Sequence, residues 1–337
     1  MKKYFLLSTL ALIAGLAISF FINIDTLLVH PIYNYLTYTL LAIGLYGAVY
    51  GIDIKELAGL KKQVLVVVTL GVVLKIAFIG SILYLITGSL ISFLLACIVA
   101  QIDPLAIAKL TQNPKNKLSN RAESLLKAWA SFDDPMTILI AFYLLLPLLV
   151  TNQSNISTYF LNLFYNLFFA GIVYLFNYFV LKQKFQFILL ITSLIVGISF
   201  QYMLGIALIA LFLRPKISLF HLNFYSLITN LTSSAYYISV IILGILVSKG
   251  VDLKTGIILG ILAFLSQFLV TYILLGNFDK SDKIKLSLTQ YNGITSIILS
   301  SLIVVYYSQT VAIISVAIVT ISVLYFSANS LIQANNV

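Results

Sequence analysis

Four ionisable residues stand deep inside apolar runs of the sequence: Lys75, Asp103, Asp133 and Asp134. Each lies roughly 10–13 residues from the nearer end of its run, or about 15–20 Å along a helix. An ionisable side chain near the middle of a bilayer costs at least about 2.5–3.5 kcal/mol to insert, and it marks a pathway, a proton relay or a buried pair. Asp133 and Asp134 are adjacent and are followed by Pro135. Two neighbouring carboxylates in low dielectric do not both ionise freely, and they titrate as a coupled pair. Such a pair can hold a proton or a cation, in competition. Adjacent helical positions point about 100° apart, so the two cannot face one partner equally. A pair neutralised by Lys75 for packing alone is the weaker reading, because apolar residues would fill the same space without the desolvation. Glu123 and Lys127, four apart with Glu first, read as a local ion pair nearer the end of the same run.

Two places predict interrupted helices. Asp103 precedes Pro104. Proline removes a backbone donor and pushes the preceding residue out of the α region. The run around it should therefore break near Ile102 and Asp103. Free backbone groups are tolerated at membrane depth only where they line a cavity or bind something. A later run opens with Thr289-Gln290-Tyr291-Asn292-Gly293, and Asn and Gly weaken a helix. A second discontinuous helix starting there would face the break at Asp103. Pro135 frees the carbonyl of Ser131 and predicts a kink in its own helix.

The elements that must hold these residues follow from composition. Of 337 residues 61% are hydrophobic and 9% charged, against about 25% charged in a soluble domain. That excludes a soluble enzyme, a nucleic-acid binder and a disordered chain, despite the net charge of +10. The apolar runs are unbroken, whereas the strands of a membrane barrel alternate. The single cysteine, Cys97, lies in such a run and allows no intramolecular disulfide.

The reading is an all-α polytopic membrane protein of about twelve transmembrane helices. They span approximately 4–22, 31–51, 63–87, 90–110, 122–150, 158–181, 187–199, 201–213, 222–248, 255–276, 286–306 and 309–331. The short pair 187–199 and 201–213 is kept apart because fusing it would spoil the charge pattern. One set of alternate loops carries Lys2, Lys3, Lys55, Lys61, Lys62, Lys109, Lys115, Lys117, Arg121, Lys182, Lys184, Arg214, Lys216, Lys280, Lys283 and Lys285; the other carries only Lys249 and Lys254. Positive loops stay inside, so both termini are expected in the cytoplasm of an integral plasma (cell inner) membrane protein. The first run could instead be a cleaved leader, but it is longer than usual for one. His30 and His221 read as interfacial histidines.

Spans three to five carry Lys75, Asp103-Pro104 and Asp133-Asp134. Spans ten to twelve carry Gln267 and Asn292-Gly293. The two triplets have opposite topology, and inverted repeats with paired broken helices mark secondary transporters that bind at the midplane. The halves match in hydropathy and break position only.

With these residues assembled, the chain resembles the monovalent cation–proton antiporter superfamily from about residue 39 to 306. Ala100-Gln101-Ile102-Asp103-Pro104 is similar to the family's Thr-Asp-Pro break. Phe132-Asp133-Asp134-Pro135 resembles its Asn-Asp or Asp-Asp ion site, and Gln290-Tyr291-Asn292-Gly293-Ile294 resembles the glycine-containing second break. The resemblance implies an elevator-like exchanger and a homodimer. Core helices would be about 63–150 and 255–331, and panel helices about 4–51 and 158–248. It implies Asp134 as the principal ion and proton carboxylate, Asp133 beside it as a further ligand of a monovalent cation, and Asp103 balancing the helix dipoles at the crossing. Three departures stand out. Ile102 replaces the threonine of the break. Trp129 stands where electroneutral members often carry glutamate. Gln267 stands where electrogenic members often carry lysine, and Lys75 on the symmetry-related span could supply that charge.

The expected function is monovalent cation/H⁺ antiport, with Na⁺ ahead of Li⁺ or K⁺, no organic cofactor, and the lipid bilayer and a second copy of the chain as partners. A sodium-coupled symporter of an organic anion is the first alternative, disfavoured by the two adjacent carboxylates. An intramembrane enzyme is the second. It lacks the glycine-rich context of an aspartyl protease and the extended Asp-rich pattern of a Mg²⁺-binding prenyltransferase.

Overall fold

The computed structural model describes residues 2–52, 59–111, 118–151, 156–179, 183–215, 218–219 and 222–334. Lys55, Lys115, Lys117, Lys182, Lys216 and His221 lie outside the described residues. The described chain is helical apart from one two-residue ladder, Ser218–Leu219 with Leu222–Asn223. Among the described residues six helices are long and apolar enough to cross a membrane. Four shorter apolar helices accompany them: Leu6–Ser19, Phe185–Ser199, Met203–Phe212 and Ile294–Ile303. Large apolar side chains such as Phe160, Phe164, Phe168 and Phe176 point outward. In water that would be a defect; in a polytopic membrane protein the surrounding lipid is as apolar as they are. The chain divides into two compact units.

The first unit comprises Met1–Ile52 and Ser154–Ser248. Its helices are Lys2–Ser19, Ile24–Val29, Pro31–Tyr50, Ile156–Phe179, Gln183–Ser199, Met203–Phe212 and Phe224–Val247. Local chemistry starts and stops them. Asn23 caps the second through its Oδ1, which accepts from the Asp25 and Thr26 amides. His30 Nδ1 accepts from the Ile32 amide in front of Pro31, so this histidine serves as an N-cap. The short pair is indeed two helices, parted by Gln201 in the left-handed region at φ 59°. Arg214 closes two helix ends at once: Nε donates to the Ala210 carbonyl at 2.9 Å and Nη2 to the Ile52 carbonyl at 3.0 Å. Tyr46 Oη donates to the Leu213 carbonyl beside it at 2.6 Å.

The second unit comprises Asp53–Gln153 and Lys249–Val337. Lys61–Thr87 is helical throughout, with a π-helical turn at Val67–Gly71. Gly88, at φ 68°, ends it. The next segment is interrupted: Ile91–Val99, a non-helical stretch, then Pro104–Thr111. Asn120–Ile140 follows, and then come Leu253–Leu274, a second interrupted segment of Lys280–Ser287 and Ile294–Ile303, and Thr310–Ala334.

The helix Asn120–Ile140 runs as α-helix through Pro135. Its irregularity comes later, in π-helical turns at Ala141–Leu145 and Pro147–Thr151. One expectation is corrected here: the helical run expected from 286 does not begin there. A full half-helix, Lys280–Ser287, precedes its break. Its three lysines read as loop, yet Asp282 in its first turn is buried and accepts from the Ser119 amide at 3.1 Å and the Ser119 hydroxyl at 2.5 Å. Ser119 is in turn the N-cap of Asn120–Ile140.

Helices approach most closely where side chains are absent. In the first unit a Cβ on Gly15 would overlap the Ile241 carbonyl, and one on Gly244 would overlap the Leu12 carbonyl. In the second unit Gly256 and Gly260 lie against Val316 and Thr320. Small residues let membrane helices touch backbone to backbone. Gly244→Leu should therefore destabilise the first unit by about 1–3 kcal/mol, the range for overpacking, read as a lowered thermal midpoint in detergent. Gly51→Ala is the control, since a Cβ there meets nothing within 4 Å.

Candidate functional site

The site lies wholly within the second unit, where the two interruptions meet. The last carbonyls of Ile91–Val99 have no intrahelical partner, and in an apolar interior each needs one. The second interruption supplies most of them. Gln290 Nε2 donates to the carbonyls of Val99 and Gln101, both at 2.8 Å. Asn292 Nδ2 lies 3.1 and 3.3 Å from the same two oxygens. Ser296 Oγ donates to the Ile98 carbonyl at 2.9 Å. Backbone joins backbone where the Asp103 amide donates to the Tyr291 carbonyl at 2.7 Å.

Lys75 completes the set. Its ammonium is buried and donates to the Ala100 carbonyl at 2.8 Å. It also reaches Gln290 Oε1 and Asp133 Oδ2, each at 3.3 Å. The Trp129 ring lies beneath it, 5.0 Å from its centroid. Gln267 performs the matching act in the other triplet. Its Nε2 donates to the Leu286 carbonyl at 3.0 Å, near the end of Lys280–Ser287. Thus an ammonium caps one first half-helix and an amide caps the other.

Asp103 stands at two helix N-termini. Its Oδ2 accepts from the Ala106 amide at 3.3 Å, in the first turn after Pro104. Gly293, the N-cap of Ile294–Ile303, lies so close that a Cβ there would overlap the Asp103 carboxylate. Negative charge between two helix starts is favourable.

The adjacent carboxylates face different surroundings. Asp133 pairs with Lys75. Asp134 Oδ2 accepts from the Thr295 hydroxyl at 2.7 Å. Both are buried, and among the described residues Asp134 has no ion-pair partner. Thr137 Oγ1 lies 2.8 Å from the Asp134 carbonyl and 3.2 Å from Gln101 Oε1. Gln101 Nε2 reaches the Ile98 carbonyl and Ser296 Oγ. Glu123 and Lys127 form their own ion pair at 2.6 Å, half-exposed and apart from this network. No cluster of three or more His, Cys, Asp or Glu suited to a metal ion occurs among the described residues.

The structure therefore brings Lys75, Asp103, Pro104, Asp133, Asn292 and Gly293 together at the two interruptions, with Asp134 one hydroxyl away through Thr295. Gln267 lies at the second interruption through Leu286. Sequence reasoning assigned no role to Gln101, Thr137, Gln290, Thr295 or Ser296. Their signal was present: uncharged polar residues inside apolar runs, within a few positions of an interruption. Gln290→Ala or Asn292→Ala should lower stability by about 1–3 kcal/mol, the cost of an unsatisfied buried group, measured by thermal unfolding. Gly293→Ala should be worse than either, because its methyl group would displace Asp103.

The sequence profile of the family described as sodium/hydrogen exchanger, transmembrane, matches residues 5–215. Among curated proteins no sequence matches. The fold is similar to two solved structures of the sodium proton antiporter MjNhaP1 from Methanocaldococcus jannaschii. For one, at pH 8, the TM-score is 0.70 at 17% identity, over 97% of this chain and 90% of that one. For the other, an electron-microscopy map, it is 0.72 at 16% identity, over 97% and 88%.

Proposed function

The chain belongs to the sodium/hydrogen exchanger transmembrane family, and on that premise we propose that it exchanges a monovalent cation, Na⁺ before Li⁺ or K⁺, for H⁺ at Asp134. One observation carries this reading: Asp134 is buried without an ion-pair partner among the described residues. A lone carboxylate in an apolar interior persists only when something neutralises it. A proton does so, and so does a cation, and one site cannot accept both. That exclusion is what makes a carrier an exchanger.

The other residues take roles from their contacts. Thr295 Oγ1 and the Asp134 oxygens are hard donors of the kind alkali cations prefer. Asp133 sits beside them as the second acidic ligand, its charge balanced by Lys75. Lys75 supplies from the third span the positive charge that Gln267 does not supply from the tenth. Asp103, with Pro104 before one half-helix and Asn292 and Gly293 before the other, balances the two N-terminal dipoles. The proposed topology is about twelve spans with two crossing discontinuous helices in inverted repeats and both termini cytoplasmic in the plasma membrane. The two compact units support a division into an ion-carrying core and a panel, the panel serving as the homodimer surface. No organic cofactor takes part.

Dissipation of a pH gradient in everted vesicles or liposomes, with Na⁺, Li⁺ and K⁺ added in turn, tests the reading. Cation-dependent dissipation is expected, and its absence at every pH would sink the proposal. Asp134→Asn should abolish it; full activity in that variant would remove the site assignment. Thr295→Val should weaken apparent cation affinity about tenfold, equivalent to about 1.4 kcal/mol. Lys75→Met should move both cation affinity and pH profile, and wild-type values for both would leave Lys75 a packing residue.

A further inference from the structure

Buried polar atoms in folded proteins nearly always have hydrogen-bond partners, and exceptions call for an explanation. Among the described residues of the second unit, four buried side-chain atoms make no hydrogen bond: Asp133 Oδ1, Trp129 Nε1, Gln267 Oε1 and Thr271 Oγ1. All four residues are at least 98% buried. Scattered exceptions would mean little, but Gln267 and Thr271 lie on one helix and Trp129 lies beside Asp133.

Gln267, Val270, Thr271 and Leu274 occupy positions i, i+3, i+4 and i+7 of the helix Leu253–Leu274, which is one face. Gly71 packs on that face: a Cβ there would lie 3.3 Å from Val270, 3.6 Å from Leu274 and 3.8 Å from Trp129 Cζ2. Cζ2 is two bonds from the indole nitrogen, so the edge of Trp129 that carries the N–H is the edge beside Gly71. The ring's other relations run to the ion site. Lys75, one turn after Gly71, lies over its face, and both the indole and the Ile102 backbone lie beside the Asp133 carboxylate, outside strict hydrogen-bond geometry. Gly71 closes the π-helical turn Val67–Gly71, the kind of irregularity that accompanies functional sites.

The unsatisfied set also has a chemical pattern. The indole is a donor only, the carboxylate and amide oxygens are acceptors only, and the hydroxyl is both. A molecule that donates two hydrogen bonds and accepts two can satisfy all of them. A buried water needs two to four polar partners, which this face offers.

We propose that Trp129, Gln267 and Thr271 form a buried hydration site at Asp133 Oδ1, the carboxylate oxygen that Lys75 does not bind. It is distinct from the hydroxyl contact between Thr295 and Asp134. This extends the antiport reading, but it can be tested without transport.

Trp129 is the only tryptophan in the chain, so intrinsic emission of the intact protein in detergent, excited beyond tyrosine absorption, reports this site alone. A water-bonded indole emits to the red of one in hydrocarbon and gains lifetime in D₂O. Both are expected for the wild type. Gln267→Leu and Thr271→Val, singly and together, should move emission to the blue and remove the D₂O effect. A wild-type spectrum like that of indole in hydrocarbon, unmoved by D₂O, overturns the proposal without touching the antiport reading. So does a red spectrum that both substitutions leave unchanged, since the indole would then be bonded to the carboxylate directly. Should the substituted chains fail to fold, the wild-type D₂O comparison still decides. Failure of cation-dependent pH dissipation would sink antiport and leave the fluorescence result standing.

Discussion

A backbone carbonyl in an apolar interior must have a donor, and the second unit is arranged around that requirement. Interrupting a helix at Pro104 releases the carbonyls that end Ile91–Val99. Those carbonyls need donors, and protein supplies them. The side chains that do so come from the other interruption and from Lys75. Each break is therefore tolerable only because the other exists, and neither triplet could hold its form alone. The same requirement explains why so many amide and hydroxyl side chains are concentrated in one small region of an otherwise apolar chain.

That framework separates two carboxylates that are neighbours in sequence. The roughly 100° between adjacent helical positions turns Asp133 towards the ammonium and Asp134 towards a hydroxyl. Removing one partner from a buried pair leaves an uncompensated charge, which is strongly unfavourable. Lys75 and Asp133 are thus bound to coexist. Asp134 has no ion-pair partner among the described residues and accepts from Thr295 instead. The tie between Asp282 and Ser119 extends the framework to the start of the helix bearing both acids. The position of Asp134 is consequently referenced to both triplets.

Much of this was legible in the residues. Long unbroken apolar runs announce helices in a membrane, and charges within them announce a site. Asp103-Pro104 located the first interruption because proline has a local, tertiary-independent effect. Pro135 has the same chemistry but does not interrupt its helix, and π-helical backbone follows from Ala141. The half-helix Lys280–Ser287 was missed because its lysines signal solvent. What holds it is Asp282 on Ser119, 163 residues away in sequence, which no local pattern reveals. Thr295 and Ser296 were passed over for a similar reason. A hydroxyl in an apolar run usually bonds its own helix, as Ser300 and Ser301 do. Only the fold shows that these two reach across it instead.

Cys97 sits beside the first interruption, buried, with Sγ donating to the Thr137 carbonyl at 3.2 Å. It is the chain's single cysteine. Thiol reagents attack an accessible thiolate, and this sulfur is neither accessible nor free of a partner. The chain is thus already a silent background for maleimide chemistry. A cysteine placed in any exposed loop becomes the one labelled position. Membrane-impermeant reagents could then assign each loop to its side, with the native helix packing at Cys97 left undisturbed.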